Sequence, residues 1–254
     1  MERTNLNIFL ARIDEKKQKL DTLRPLPVEL IKNVHDWMRI ELTYTTNAIE
    51  GNTLTRQETA LLLEHGIVAA GKKLREHFEA FNAARAYDYV NELAKKSRSD
   101  ITLCDVLEVH RLVLASIDDA HAGVFRQTAV RIMGSHLVLP AAHKLDRLMD
   151  EFMCWFCSQE GHPVIIAARA HHKLVAIHPF IDGNGRAARF LMNLVLVQNG
   201  YPWSAIIPES RRAYLAALDK ANEGDDSEWI LFVADAVDKS LDMMLELAQQ
   251  NIEK

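Results

Sequence analysis

The chain contains little cysteine, glycine or proline, and it has no excess of positive charge. Its 254 residues include 3 Cys, 10 Gly and 7 Pro, and the formal net charge is −5 at pH 7. A net negative chain without a basic tail lacks the cationic surface that general nucleic-acid binding requires. So few cysteines favour a reducing compartment. We therefore expect a cytoplasmic protein with no direct nucleic-acid partner.

Long apolar runs are also missing. One of the longest, FLMNLVLV at 190–197, is far shorter than a membrane-spanning helix requires. The first residues, MERTNLNIFLARIDEKK, carry too short an apolar stretch for a secretory signal. These features predict no membrane partner.

Two of the cysteines form a CxxC pair, Cys154 and Cys157, in EFMCWFC. A zinc site would need further ligands at matching spacing, and the third cysteine, Cys104, stands alone. Because the pair lies in an apolar, helix-like run, it is interpreted as two buried thiols one helical turn apart.

Apolar residues at helical spacing, by contrast, are abundant. They recur every three or four positions with few Gly or Pro interruptions. The predicted fold class is therefore all-α, a mostly helical bundle. The expected helices cover 4–22, 27–49, 55–65, 73–96, 102–116, 143–158, 163–177, 185–199, 209–222 and 227–249.

One segment, FRQTAVRIMGSHLVLP, departs from the helical pattern. Val130 and Ile132 alternate with polar neighbours, and Gly134 followed by Ser135 offers a turn. This alternation predicts a short β-hairpin; the alternative is an irregular loop packed by its own apolar residues. An exposed hairpin edge can accept an extended peptide, so the segment is a candidate target-binding flap.

The densest group of polar residues is HPFIDGNGRAAR, from His178 to Arg189. Pro179 cannot continue the helix before it, while Gly183 and Gly185 allow a tight loop with exposed amides. A helix is expected to begin directly after this loop. Free N–H groups and the helix dipole converge at such an N-terminus, which makes it a natural phosphate cradle.

The side chains of this loop suit the transfer of a phosphorus-containing group to an alcohol. Arg186 and Arg189 lie one turn apart and can face the same anion. Asp182 supplies an oxygen ligand, and Mg²⁺ on nucleotide phosphates takes only one or two protein carboxylates. His178, with an ordinary pKa of about 6.5, can take a proton from a hydroxyl.

Other interpretations of this loop are weaker. GNGRAA fits a loose dinucleotide-binding pattern, but no βαβ unit surrounds it. A P-loop is excluded because the Gly-Lys-Ser/Thr sequence is absent. The remaining alternative is that the glycines only turn the chain and the arginines are solvated.

The same residues resemble a known family. HPFIDGNGR followed by Arg189 matches the Fic-family motif HPFx(D/E)GNGRxxR at every defined position, and the resemblance extends over residues 40–235. AGVFR resembles the segment leading into the family's flap, and RRAYLAALDKANEGD resembles its adenine side. The resemblance implies a Fic fold with a β-hairpin flap. Residues 1–99 would carry an inhibitory helix, 100–235 would be the catalytic core, and 236–254 would end the last helix.

The resemblance also implies roles for individual residues. His178 would be the general base toward a Ser, Thr or Tyr hydroxyl of a target protein, Asp182 would bind Mg²⁺, and Phe180 would anchor the loop in the core. The implied reaction is AMP transfer from ATP to the target protein and to the chain itself. Doc-type kinases of the family carry lysine where this chain has Gly185, which favours AMP transfer. The nucleotide would be held by Gly183, Asn184, Gly185, Arg186 and Arg189, with Tyr214 and Asn222 on the adenine side. For the last two, the alternative is a core tyrosine and an exposed asparagine at a helix end.

A second motif, TNAIEGN at 46–52, ends the predicted 27–49 helix with a glutamate. A negative charge at a helix C-terminus opposes the macrodipole, so local preference does not explain Glu50. Thr46, Glu50 and Gly51 match the family's inhibitory pattern (S/T)xxxE(G/N). The resemblance implies that Glu50 pairs with Arg189 and fills the space that the γ-phosphate of ATP needs.

Three other functions remain open from the sequence. One is de-AMPylation, in which Glu50 would position a water. The second is transfer of another nucleotide, such as UMP. The third is a nucleotide-responsive binding protein without turnover. The sequence does not name the target protein, and the family resemblance makes a homodimer an expected partner state.

Overall fold

The described part of this computed structural model comprises residues 2–132 and 137–252. Within it the chain forms ten α-helices, and each expected helical segment corresponds to one of them. The all-α prediction is therefore confirmed. The helices are α1 Glu2–Thr22, α2 Val28–Ile49, α3 Arg56–His65, α4 Leu74–Leu93, α5 Leu103–Leu114, α6 Leu145–Ser158, α7 Pro163–Ile177, α8 Asn184–Gln198, α9 Arg211–Asn222 and α10 Ser227–Ile252.

The core is built around α7 and α8, which pack against each other. Nearly every residue of α8 is buried, including Arg186, Arg189 and Asn193, because other helices pack around it. Helices α4 and α5 also contact α8, α10 contacts α7, and α1 lies along α10. The loop between α7 and α8 is therefore held at both ends by buried helices. The division into regions 1–99, 100–235 and 236–254 stays a prediction.

Helix α2 ends where the sequence predicts. Glu50 is its C-terminal cap, and Gly51 follows with φ +96°, a left-handed conformation that glycine adopts without strain. The amide of Asn52 donates to the carbonyl of Asn47 at 3.1 Å, which closes the turn. The glutamate is thus fixed at a helix end rather than on a free loop.

A small satellite core supports this turn from α3 and α4. Leu54, Leu62 and Ala80 form it, separately from the main core. Helix α3 starts with a reciprocal capping box, in which Thr55 accepts from the amide of Glu58 and the Glu58 carboxylate accepts from the amide of Thr55. The satellite core therefore packs the chain just after Glu50 against α4.

The predicted β-hairpin is wrong for the described residues that surround its turn. Val130 and Ile132 lie in no strand, and neither do residues 137–140. The two arms are bridged by a side chain instead of a ladder, because Arg126 donates to the carbonyls of Thr128, at 2.9 Å, and Pro140, at 2.6 Å. Gly134, also assigned to the flap, lies outside the described residues.

The interpretation of the CxxC pair is wrong in its burial. Both residues lie on α6, but Cys154 is exposed and Cys157 is only half-buried. The buried face of α6 is formed by its larger apolar side chains, such as Met149 and Phe156. Among the described residues no helix is both long enough and apolar enough to span a membrane.

Candidate active site

The loop between α7 and α8 starts at His178, whose backbone is left-handed with φ 51°. The amide of His178 still donates to the carbonyl of Leu174 at 2.9 Å. Pro179 has no N–H to continue the helix, so α7 ends here. This turn places the imidazole at the end of a buried helix.

The imidazole of His178 has one ring nitrogen engaged and one available. Nδ1 lies 3.2 Å from the carbonyl oxygen of Val175. A carbonyl only accepts, so Nδ1 carries the hydrogen and Nε2 keeps its lone pair. Burial lowers the pKa of His178, although the nearby carboxylates of Glu50 and Asp182 act to raise it. A neutral imidazole with a free Nε2 can accept a proton from a hydroxyl.

The loop is clamped from inside by Asn184 and His110. The Asn184 side chain accepts from the amide of Phe180 at 3.0 Å and donates to the Phe180 carbonyl at 2.9 Å. The ring of Phe180, fully buried, stacks on His110 with centroids 3.5 Å apart and planes 4° from parallel. The predicted anchoring by Phe180 is confirmed.

His110, which lies on α5, also fixes the backbone of Asp182. Its Nδ1 accepts from the amide of Gly123, and its Nε2 donates to the carbonyl of Asp182, both at 2.9 Å. Burial lowers the pKa of His110 to about 4, so the ring is neutral in this arrangement. Gly183 has φ +78°, and a Cβ there would lie 3.1 Å from His110 Nε2. Glycine is therefore required at this contact.

A buried arginine, Arg126, ties the loop to the candidate flap. Its Nε donates to the carbonyl of His178 at 2.8 Å, and its amide donates to the carbonyl of Pro179 at 2.9 Å. The same guanidinium donates to Thr128 and Pro140 in the two arms of the segment predicted as a flap. Arg126 therefore connects the candidate flap to the loop between α7 and α8.

The first turn of α8 offers several donors that lack acceptors. The amides of Asn184, Gly185 and Arg186 have no intrahelical acceptor by geometry, and Gly183 provides no side-chain cap. Arg186 is buried, with only 3% of its surface exposed, and its Nε and Nη1 have no hydrogen-bond partner among the described residues. Buried donors are normally satisfied, so this arrangement favours an anion as the absent partner.

Asp182 lies beside this turn as a half-exposed carboxylate. It accepts from the amide of Gly183 at 2.6 Å, from Arg186 at 3.2 Å and from Arg75 at 2.9 Å. Burial acts to raise the pKa of Asp182, but Arg186, the Gly183 amide and Arg75 together hold it below its usual value. The group is therefore an ionised oxygen ligand.

No group of three or more His, Cys, Asp or Glu residues is arranged to hold a metal ion within the described ranges. A single carboxylate nevertheless fits Mg²⁺ when nucleotide phosphates supply most of the coordination. The donor set around Asp182 is consistent with that mode, because the carboxylate adjoins the unpartnered donors of α8. It does not fit a metal bound by protein alone.

Glu50 and Arg189 form an ion pair beside the first turn of α8. Glu50 Oε1 accepts from Arg189 Nη2 at 2.7 Å. Arg189 is buried, whereas 40% of the Glu50 side chain is exposed. Burial acts to raise the pKa of Glu50, but Arg189 outweighs it and lowers the pKa, so the carboxylate stays ionised at neutral pH.

The carboxylate of Glu50 occupies space directly over the first turn of α8. A Cβ built on Gly185 would lie 2.7 Å from Glu50 Oε1 and 3.1 Å from Arg189 Nη1. Glu50 therefore lies against the turn whose amides are free. Thr46 contributes to the same arrangement, since its hydroxyl accepts from Arg189 Nε at 2.9 Å and its carbonyl from Nη2 at 3.0 Å.

Tyr214 and Asn222, the two residues assigned to the adenine side, have different surroundings. Tyr214 is buried, with its ring against Trp229 and Phe232 and its hydroxyl toward Arg189. The face of its ring is therefore not available for stacking on adenine. Asn222 is half-buried, and its Oδ1 lies 2.9 Å from His172 Nε2. A cavity of about 820 Å³ adjoins it, lined in part by Pro140, His172, Ala176, Ile177 and Ala221.

Comparison with known proteins agrees with this geometry. The sequence profile of the Fic/DOC family matches residues 100–196. A solved structure of Fic-1 from C. elegans superimposes with a TM-score of 0.90 at 30% sequence identity, covering 98% of this chain and 74% of that chain. The chain belongs to the Fic/DOC family.

Curated relatives in this Fic/DOC family include proteins named protein adenylyltransferase Fic. The one from Culex quinquefasciatus is 38% identical over 237 residues, covering 92% of this chain and 47% of that protein. The one from Drosophila grimshawi is 40% identical over 240 residues, covering 93% of this chain and 49% of that protein. The chain thus spans about half the length of the curated relatives that it matches.

The structure brings most of the predicted site residues of this Fic/DOC member together. Those assembled at the loop are Thr46, Glu50, Gly51, His178, Asp182, Gly183, Asn184, Gly185, Arg186 and Arg189. Tyr214 reaches the site from behind Arg189 rather than from the adenine side. Sequence reasoning missed His110, Arg126 and Arg75, since each contacts the loop from a distant part of the chain and no local spacing reports it.

Proposed function

We propose that this chain is a protein adenylyltransferase, transferring AMP from ATP to a Ser, Thr or Tyr hydroxyl of a target protein and of itself. The observation that carries the proposal is the buried guanidinium of Arg186 beside the free amides of α8. Its Nε and Nη1 make no hydrogen bond among the described residues, although Nη1 lies 3.6 Å from the Glu79 carboxylate. A cationic, buried set of donors at a helix N-terminus suits a polyphosphate. The names of the curated relatives support the same activity.

The proposed reaction uses the two ends of the loop in separate roles. His178 Nε2 takes the proton of the target hydroxyl, and the hydroxyl oxygen forms a bond to the α-phosphorus of ATP. The bond from that phosphorus to the bridging oxygen of the β-phosphate breaks, and pyrophosphate leaves. Arg186 and the α8 amides stabilise the charge on the phosphates.

Mg²⁺ would be held by Asp182 and would supply charge neutralisation on the phosphates. The carboxylate that would hold it now accepts from Arg75 at 2.9 Å. Asn222 would read the adenine edge, since its side chain bonds His172, which lines the cavity beside α7 and α9.

Glu50 would inhibit the transfer. Its carboxylate lies against the first turn of α8 and shares Arg189, so one guanidinium would have to serve both a carboxylate and a phosphate. A nucleotide could then bind only in a pose whose terminal phosphate avoids this space. Moving Glu50 would restore the productive pose.

The proposal extends to partners and compartment. The target backbone would lie along the candidate flap, residues 128–140, whose arms Arg126 fixes. The chain would form a homodimer, for which the exposed Leu61, Ile67, Val68 and Leu74 offer apolar surface, and light scattering would test this. Three free thiols favour a reducing compartment such as the cytoplasm.

The position of a radioactive label on ATP tests the reaction type. Glu50→Gly protein should incorporate label from α-labelled ATP in the presence of Mg²⁺ and none from γ-labelled ATP. Label from the γ position alone would show a kinase and contradict the proposal. Glu50→Gly combined with His178→Ala should incorporate neither label while still binding ATP.

The rival functions give different results in the same assay. UMP transfer would appear as stronger labelling from α-labelled UTP than from ATP. De-AMPylation would appear as loss of AMP from labelled Glu50→Gly protein after wild-type protein is added. A binding protein without turnover would bind ATP but label nothing in any variant.

A further inference from the structure

The contacts of Arg189 divide between two parts of the fold. Thr46 and Glu50, which belong to the end of α2, provide three hydrogen bonds to its guanidinium. The one further acceptor among the described residues is the hydroxyl of Tyr214 on α9, 3.4 Å from Arg189 Nη1. All the contacts but this last one therefore depend on the position of α2.

Tyr214 is backed by a second buried residue, His171 on α7. The Tyr214 hydroxyl lies 3.0 Å from His171 Nε2, and the two rings meet edge to face at 5.7 Å and 76°. Because the tyrosine oxygen accepts from Arg189, its hydrogen is free to point to His171 Nε2. Burial lowers the pKa of His171 well below its ordinary value, so the ring is neutral and Nε2 can accept.

This pair lies in the core on α7 and α9, of which α9 is joined to the end of α2 by Arg211 Nε, a donor to the Ile49 carbonyl at 2.8 Å. His171 is fully buried, and both rings pack against Trp229 of α10. The nitrogen that bonds Tyr214, Arg189 Nη1, also lies 3.1 Å from the place of a Cβ on Gly185. Tyr214 therefore holds the edge of the guanidinium that borders the first turn of α8.

We infer that Tyr214, held by His171, is a positioning residue that keeps Arg189 directed at the terminal phosphate of the nucleotide once Glu50 has moved away. The inference rests on the proposed function, in which that phosphate takes the place of the Glu50 carboxylate. If the end of α2 shifts to admit the phosphate, the contacts to Thr46 and Glu50 weaken together. The contact to Tyr214 would stay, because Tyr214 is held by His171 of α7 and packs against Trp229 of α10 rather than being part of α2.

Nucleotide affinity measured by calorimetry tests the inference. The parent protein is Glu50→Gly with His178→Ala, which cannot transfer AMP, and it should bind ATP more tightly than ADP. Adding Tyr214→Phe removes one hydroxyl without changing the ring. The preference for ATP over ADP should fall by about threefold to tenfold, the size of effect expected for losing one ordinary intramolecular hydrogen bond.

Tyr87→Phe is the matched control, because it also removes a buried tyrosine hydroxyl, one that donates to the His35 carbonyl at 3.3 Å. It should leave the ATP preference unchanged, so a general loss of packing cannot imitate the effect. His171→Phe should lower the preference as Tyr214→Phe does, and the double variant should be no worse than either alone.

Three results would overturn one or the other of two separate statements. An unchanged preference in Tyr214→Phe, or an equal loss in Tyr87→Phe, would overturn the role of Tyr214 and leave the proposed function intact. A parent protein that binds ATP and ADP equally would overturn the assignment of the terminal phosphate to Arg189, and the inference would fail with it.

Discussion

Gly185 is the residue at which the proposed phosphate cradle and the inhibitory ion pair meet. It contributes a free amide to the first turn of α8, and the Glu50 carboxylate lies where its side chain would be. The position is helical, so glycine is not needed for its backbone conformation here. Its absent side chain instead allows the close approach of Glu50 and Arg189.

Replacing Gly185 with alanine should therefore weaken the inhibition. The new Cβ would lie 2.7 Å from Glu50 Oε1, and the carboxylate, as the end of a flexible side chain, is the group that must move. We expect self-modification to rise by about threefold to tenfold over wild type, corresponding to about 1 kcal/mol. Incorporation of α-labelled ATP measures this.

The double variant Glu50→Gly/Gly185→Ala is the control for that substitution. With no carboxylate left to displace, alanine should give no further rise, and its Cβ, next to the place that the terminal phosphate would take, should lower the activity instead. An additional rise in the double variant, or no rise in Gly185→Ala alone, would show that the close contact does not restrain Glu50.

At the residue scale, the sequence predicted the groups that react better than the groups that hold them. His178, Asp182 and Glu50 are recognisable because their chemistry and spacing are local. His110 and Arg126 are not, since each meets the loop across a long stretch of chain. Tyr214 was assigned correctly to the site region but to the wrong face, because spacing along α9 does not tell which neighbour its hydroxyl meets.

At the scale of elements, the end of α2 depends on α3. The satellite core of Leu54, Leu62 and Ala80 packs the chain after Glu50 against α4, and the capping box of Thr55 starts α3. Asn52 joins this support by donating to the Glu76 carbonyl and the Glu79 carboxylate. Loosening α3 should therefore loosen Glu50.

Thr55→Ala should make this coupling measurable. Loss of an N-cap side chain costs about 1 kcal/mol of helix stability. We expect faster hydrogen exchange across residues 52–66 and a rise of about twofold to fivefold in self-modification, because local opening of α3 frees the turn at Glu50.

Thr102→Ala removes an equivalent capping box at the start of α5 and serves as the control. It should lower the free energy of unfolding by a similar amount without raising self-modification. If both substitutions raised activity equally, general destabilisation rather than support of α2 by α3 would be the cause.

The elements themselves follow from the sequence wherever periodicity decides them. Ten helical segments were predicted and ten were found in the described ranges, since long amphipathic or apolar runs give a strong signal. The segment around Val130 and Ile132 shows the limit of such patterns. Alternation there predicted strands, yet the described arms form none and are joined by the side chain of Arg126, which bonds the carbonyls of Thr128 and Pro140.

At the scale of the whole molecule, the fold sets the pH range in which the site can work. His178 must be neutral to accept a proton, and burial places its pKa below the ordinary 6.5. The pKa of Glu50 is also below its ordinary 4.5, so the carboxylate remains ionised while His178 titrates. As the pH falls, His178 should therefore become protonated before Glu50 does, so the general base is lost while the inhibitory ion pair remains.

As the pH falls from 8, the rate of self-modification by Glu50→Gly protein should therefore reach half its maximum only below pH 6.5. Wild-type protein should stay inactive over the same range. A half-maximal rate above pH 6.5, or wild-type activity that rises on acidification, would contradict these charge assignments.

The most direct test of the central claim is the intact mass of three proteins after incubation with ATP and Mg²⁺. They are the wild type, Glu50→Gly and Glu50→Gly/His178→Ala. The claim has three parts: the first turn of α8 binds the phosphates of ATP, Glu50 blocks this site, and His178 is the general base. We expect the mass of an added AMP in Glu50→Gly, at least about tenfold less in wild type, and none in the double variant. Equal AMP addition in wild type and Glu50→Gly, or addition that persists without His178, would contradict the account.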